Sequence, residues 1–316
     1  MVSEDKISFK PPWYLINNHL ETIYPALFRK SKSNHYVHKR ILTNDNDFID
    51  IDVYNIGSDQ TVILSHGLEG NSKKPYMTGM ISQLLKSGFN CVAWNFRGCS
   101  GSMNNHPYSY HSGATKDLDL IVRTTIQRFP GNRISLIGFS LGGNLVLKYL
   151  GEYDPDVLIT RAVAISVPLD LYSSCLKISE PSNWLYTKRF LNTLKKKVKE
   201  KAVKFPDNFE VSGIEKISNL IEFDDRYTAP LHGFKDAQDY YKKCSALHFL
   251  KKIKVKTMII NAKNDPFLSK SCFPQRVDNH NLIFDYPEYG GHLGFTMSNG
   301  QQKYYHELKS LEFLLK

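Results

Sequence analysis

The sequence predicts an α/β protein: one mostly parallel central sheet with helices on both faces, and a helical insertion over the carboxyl edge of the sheet. Three observations predict it. Six short, near-continuous apolar runs alternate with helix-length segments, the pattern of parallel strands covered on both faces. The stretch from Val167 to Lys256 is too long for a single crossover, which implies an insertion. The run ending at Phe139 stops at a serine flanked by glycines and restarts with a helical pattern.

Taken in order, residues 36–43 and 48–56 read as two strands. The second sets Ile49, Ile51 and Val53 against Asp50 and Asp52, which predicts an edge-type strand with one wet face. Then come the apolar runs: "TVILSH" (61–66), "NCVAWNF" (90–96), "RISLIGF" (133–139), "RAVAISVP" (161–168), "TMIINA" (257–262) and "LIFDYP" (282–287). Helix-length segments lie at 75–87, 115–129, 141–149, 236–252 and 301–315. The predicted organisation is therefore a core of residues 1–169 and 235–316, with residues 170–234 as a helical cap or lid.

Composition narrows the function. A chain of 316 residues with 41% hydrophobic content can bury a sizeable core. It contains no apolar stretch of about 18 residues, and "MVSEDKISFKPPWYL" lacks the apolar centre of a signal peptide, so the expectation is a cytoplasmic protein. The five cysteines are odd in number, widely spaced and without C-x-x-C, which suggests free thiols rather than a disulfide framework or a thiolate metal site. Of the net charge of +10, residues 188–204 carry +7: eight basic side chains against Glu200 alone. A nucleic-acid footprint would spread over a face interleaved with aromatics, so no nucleic-acid partner is expected. In the same segment Leu191, Leu194, Val198, Ala202 and Phe205 recur at steps of three and four, which predicts a helix with an apolar stripe and most lysines opposite. Such a basic face is either merely solvated or makes a peripheral contact with anionic membrane surfaces.

Gly138-Phe139-Ser140-Leu141-Gly142 fits G-x-S-x-G. The bare pattern is weak, but it falls where a strand gives way to a helix, as a nucleophile elbow requires; the alternative is a glycine-rich turn whose serine caps the helix. A serine hydroxyl needs a base, and the base needs an orienting group. Chain order Ser, acid, His then selects Asp265, just past the run at 257–262, and His292, just past the run at 282–287. Asp170 is the alternative acid. An oxyanion hole would use the backbone N–H groups of Leu68 and Leu141, with His66 shaping the turn before Leu68. Asp224, Asp225 and Arg226 read as a salt-bridged hinge or as helix caps, Arg97 as part of the turn after the fourth strand, and Asp117 and Asp119 as solvated helix residues. There is no H-E-x-x-H and no P-loop, so neither metal nor cofactor is expected.

"HGLEGNSKKPY", "NFRGCSG", "HSGATKDL", "GFSLGGN", "DDRYTAPLHGF", "NAKNDPF" and "YGGHLGF", with the opening "PPWYLINNHLETIYPALF", together resemble the YheT-type branch of α/β-hydrolases, related to the ABHD1/ABHD2/ABHD3 and Emb8-like proteins. The resemblance implies the α/β-hydrolase fold and cleavage of carboxylic esters by Ser140, Asp265 and His292, with small-molecule, medium-chain or lipid esters as substrates. Some relatives transfer acyl groups to alcohols, so an acyltransferase is the second expectation. A binding protein on a hydrolase scaffold, without catalysis, is the third. The Lys-rich insert matches least well, so substrate choice is the least determined property.

Overall fold

The computed structural model describes residues 9–15, 17–30, 34–154, 158–298 and 304–316. The chain forms α1 (Asn18–Phe28), β1 (Val37–Leu42), β2 (Phe48–Tyr54), β3 (Gln60–Ser65), α2 (Pro75–Lys86), β4 (Asn90–Trp94), α3 (Thr115–Arg128), β5 (Arg133–Phe139), α4 (Leu141–Glu152) and β6 (Ile159–Ile165). Five helices come next: α5 (Leu171–Ile178), α6 (Trp184–Lys204), the short α7 (Leu220–Phe223) and α8 (Ala229–Leu231), and α9 (Ala237–Cys244). β7 (Lys256–Ile260), β8 (Leu282–Asp285) and α10 (Tyr305–Leu315) complete the chain.

The strands make one sheet in the order β1-β2-β4-β3-β5-β6-β7-β8. β1 and β2 run antiparallel to their neighbours, and the rest are parallel. Alternation along β3 sends Ile63 into one core and Val62 and Leu64 into the other. The first core is closed by α3 and α4 through Leu118, Ile121, Leu145 and Leu150; the second by α2 and α10 through Met77, Met80, Leu84 and Leu311. Helices therefore lie on both faces of a mostly parallel sheet, as the sequence predicts.

The edge assignment of the second strand is overturned. β2 lies between β1 and β4 and is buried along its whole length. Its alternating aspartates are not wet: Asp50 accepts from Arg40 Nε at 2.8 Å, and Asp52 from Ser72 Oγ at 2.6 Å, with His38 Nδ1 2.8 Å away. Partners on β1 make these buried carboxylates tolerable, so polar alternation reported pairing rather than exposure.

Two further expectations change. The helix expected over 236–252 breaks at Ser245 (ψ 121°) into two 3₁₀ turns. Asn144 of α4 causes the break by donating to Cys244 O (2.9 Å) and accepting from Ala246 N (2.8 Å). The last helix begins at Tyr305, and positions 301–303 of the expected one lie outside the described residues.

α6 forms where the 3–4 spacing predicts, and its apolar stripe joins α7 and the 205–217 segment in a cluster of its own, through Leu191, Val198, Phe209, Ile214 and Phe223. The lysines do not all face solvent. Lys195 and Lys201 are buried; Lys201 Nζ donates to Pro107 O, and Lys197 Nζ to Glu69 Oε1 at 2.8 Å. Period gives the face of a helix, not what that face meets. The outward basic residues include Lys188, Arg189, Lys196 and Lys199.

Candidate active site

The serine sits on a strained turn. Ser140 has φ 52° and ψ −119°, and its amide is fixed by Ile165 O at 2.8 Å. A non-glycine residue in such a conformation costs about 1–3 kcal/mol and persists only where its surroundings impose it. They do so by close packing: a Cβ on Gly138 would lie 2.3 Å from Gly142 O, and one on Gly142 would lie 2.4 Å from His66 O. The glycines let β5, α4 and the end of β3 meet around the serine. The side chain caps no amide of α4; Ser140 Oγ lies 3.0 Å from His292 Nε2.

Asp265 follows β7 in a tight turn, its Oδ1 accepting from Phe267 N at 2.9 Å. Its Oδ2 lies 2.8 Å from His292 Nδ1, and its side chain is fully buried. A carboxylate on Nδ1 assigns the proton to that nitrogen and leaves Nε2 as the acceptor facing Ser140. The Phe267 ring lies against the imidazole, centroids 4.3 Å apart and the planes tilted by 41°. Asp170 is placed elsewhere: it caps α5 through Ser173 N and accepts from Ser271 Oγ at 2.8 Å.

The loop carrying His292 rests on a helix that the sequence reasoning did not connect with the site. Thr22 Oγ1 of α1 accepts from His292 N at 2.9 Å, and buried Glu21 accepts from Gly290 N. Asn264, next to Asp265, donates to Glu21 and accepts from Gly291 N at 3.0 Å. Burial raises the Glu21 carboxyl above its usual range, against the hydrogen bonds from Gly290 and Asn264. A signal existed: Glu21 is the lone acid in the largely apolar "NHLETIYPALF", and a solitary acid in such a helix needs a buried partner.

The Leu68 and Leu141 amides donate to no acceptor among the described residues. His66 is fully buried; its Nδ1 pairs with Gly67 O at 2.8 Å and its Nε2 accepts from Phe96 N at 3.1 Å, and burial pushes its pKa down to about 3. It is thus a neutral tie between the Leu68 loop and the end of β4. Asp117 is no solvated residue, because Arg97 grips it with two 2.9 Å bonds while also reaching Asp45 and Asp47. Asp119 is only partly exposed and takes bonds from Arg123 and Tyr149. Nor do Asp224, Asp225 and Arg226 form a salt-bridged hinge. Asp224 accepts from Thr228 and Tyr241, Asp225 from Ala237 N, and Arg226 donates to the carbonyls of Glu210 and Ser212.

Two cavities meet at Ser140. One, of about 130 Å³, is walled by Leu171 and Ile178 of α5, Val198 of α6, Phe223 of α7, and Tyr227. The other, of about 420 Å³, opens between α1 and α6 and is bordered by His292, Phe267, Tyr186 and Arg189.

Residues 60–271 match the α/β hydrolase fold family. The chain belongs to that family. Escherichia coli K12 YheT is 32% identical to this hydrolase over 287 residues, 88% of this chain and 84% of YheT. Mouse phospholipase ABHD3 is 31% identical over 238 residues, 74% of this chain but 58% of the mouse protein. These matches place the hydrolase in the YheT/ABHD branch. The solved esterase Pf2001 of Pyrococcus furiosus shares its fold, with a TM-score of 0.60 at 20% identity over 91% of this chain and 97% of Pf2001. α1, with Glu21 and Thr22, lies outside the matched 60–271 segment.

Proposed function

We propose that this hydrolase is a serine esterase that cleaves carboxylic esters, lipid esters included, through an acyl-Ser140 intermediate. The single observation that carries the proposal is the relay of two contacts, Ser140 Oγ to His292 Nε2 (3.0 Å) and His292 Nδ1 to Asp265 Oδ2 (2.8 Å). The names of phospholipase ABHD3 and esterase Pf2001 point to the same bond type. His292 takes the Ser140 proton as Oγ attacks the acyl carbon; the oxyanion that forms is held by the Leu68 and Leu141 amides; His292 then protonates the departing alkoxide. Water repeats the sequence in reverse, releasing the acid and restoring Ser140.

The two cavities support an assignment of the substrate's ends. The group that protonates the leaving alcohol must reach its oxygen, and His292 borders the open cavity. The alcohol therefore lies there, and the acyl chain lies in the smaller cavity under residues 170–234, which act as its cap. A dry cavity of 150 Å³ accommodates benzene, so the 130 Å³ cavity takes an acyl chain of roughly six carbons by the same scale. Esters held in a lipid surface would approach the open cavity across Leu27 and Phe28 of α1 and Trp184 and Leu185 of α6, all more than half exposed, beside Lys188 and Arg189. The peripheral membrane contact then uses the start of the Lys-rich insert rather than its inward-turned lysines.

Labelling with a fluorophosphonate, mapped by mass spectrometry, tests the nucleophile, and a p-nitrophenyl ester series tests the acyl cavity. Ser140 should carry the label, and kcat/KM should peak near six carbons. Label on another serine, or turnover climbing steadily beyond twelve carbons, would overturn the respective assignment.

A further inference from the structure

The loop that offers the Leu68 amide contains a residue in an unfavourable place. Gly70 N donates to Gly67 O at 3.0 Å, closing a tight turn whose third residue, Glu69, has φ 53°. That position ordinarily takes glycine or asparagine, and a longer side chain is strained there. Glu69 is held by its side chain and by a phenol. Its amide donates to Tyr110 OH at 2.9 Å, and Tyr110 OH donates back to Glu69 Oε1 at 2.8 Å. The same Oε1 accepts from Lys197 Nζ at 2.8 Å, and the Glu69 side chain is only 6% exposed. The remaining oxygen, Oε2, is buried without a partner. Lys197 belongs to α6, 128 residues away in sequence, on the helix whose apolar stripe walls the smaller cavity.

We propose that Lys197 is a positioning residue for the oxyanion hole: by neutralising Glu69 it keeps the turn in its left-handed conformation, with the neighbouring Leu68 amide aimed at the carbonyl oxygen. The proposal rests on the esterase reading of Ser140. A buried carboxylate that loses its cation is driven towards water or protonation, and here the escape is for Glu69 to relax its backbone and swing out. The donor one residue earlier then moves. α6 thus does two tasks at once, walling the acyl cavity and, through one ammonium, setting the transition-state site.

The experiment compares the full-length parent with Lys197→Met, Lys197→Arg, Glu69→Gly and the Glu69→Gly/Lys197→Met double variant. The substrate is p-nitrophenyl acetate, whose two-carbon acyl group leaves most of the smaller cavity empty. The inhibitor is a methyl trifluoromethyl ketone, which adds Ser140 Oγ and places an oxyanion before the two amides. Losing an oxyanion donor costs about 10²–10³ in kcat, so displacing one by part of that distance should lower kcat of Lys197→Met by about 10–100-fold. KM should stay within about threefold, and the ketone should weaken by the same factor as kcat. Lys197→Arg should recover most of the loss. In the Glu69→Gly background, where no carboxylate is left to neutralise and glycine takes positive φ without a tether, Lys197→Met should change kcat no further. This double variant keeps the test informative if Lys197→Met alone fails to fold around its unpaired carboxylate. The proposal is overturned if folded Lys197→Met keeps its kcat, if kcat falls while ketone affinity does not, or if Lys197→Met costs the same with and without Glu69. Ser140 labelling in the parent tests the esterase reading separately from any of these rankings.

Discussion

Replacing Thr22 with valine keeps the shape of the α1 side chain and deletes the oxygen that receives the His292 amide at 2.9 Å. The His292 N–H, partly buried against α1, then has no acceptor, a loss worth about 1–3 kcal/mol. The loop has other ties, because Gly290 N still reaches Glu21, Gly291 N still reaches Asn264, and Leu293 N still reaches Ser166 Oγ at 3.1 Å. The loop should therefore sag locally rather than come free. If about 1.4 kcal/mol of the penalty appears as displacement of the imidazole from Ser140, kcat/KM falls by about tenfold. Stopped assays on p-nitrophenyl hexanoate, paired with urea denaturation of the same preparations, measure both quantities. Thr22→Ser, which restores the oxygen, should recover the activity. The reasoning fails if Thr22→Val keeps kcat/KM within twofold, or if Thr22→Ser is as slow as Thr22→Val.

Four other outcomes are expected. Ser140→Ala and His292→Ala should each lower ester turnover by about 10³-fold or more, and the double variant should be little worse than either, since the residues act as a unit; additive losses would argue otherwise. Asp265→Asn should slow turnover by orders of magnitude, whereas Asp170→Asn, which touches only the α5 cap and Ser271, should cost stability alone; kcat measured on folded protein separates the two. Burial raises the Asp224 carboxyl to about 6, above its unfolded value of 3.8, so its contribution to stability is full below pH 3.8 and is lost as pH rises through 6. Asp224→Asn should therefore gain about 1–3 kcal/mol relative to the parent between pH 4.5 and 7 in urea titrations, and a constant difference would exclude this carboxyl as the cause. Finally, Lys188→Gln should weaken turnover of esters on anionic vesicles and reduce its salt dependence, leaving a soluble ester unaffected; equal loss on both substrates would remove the surface contact.

How much could be read beforehand depended on the range over which each residue acts. The elbow is local: a strand, Gly-x-Ser-x-Gly and a helix occupy consecutive residues, so Ser140 stands out in one dimension. Asp265 and His292 could be placed because parallel strands deliver their connecting loops to the same sheet edge, which makes chain order a proxy for position. Thr22 and Lys197 had no such proxy. Thr22 meets His292 across 270 residues and Lys197 meets Glu69 across 128, and helical periodicity says which face turns inward without saying whose carboxylate waits there. The β2 aspartates misled for a related reason. An alternating acid looks the same whether it faces water or an arginine on the next strand, and only the register Arg40 opposite Asp50 distinguishes the cases.

Because Ser140 borders both cavities, the acyl-enzyme of the proposed mechanism would be a half-emptied site. Once the alcohol had gone, the acyl group would remain in the smaller compartment, and the vacated compartment would lie directly against His292. On that mechanism, whichever hydroxyl entered the vacancy would be the one the imidazole deprotonates. Hydrolysis and transfer to a second alcohol then differ in no catalytic group at all. They differ in occupancy, a contest between water at its fixed molarity and any alcohol that binds the vacated space, so the balance of products becomes a property of the surroundings as much as of the protein.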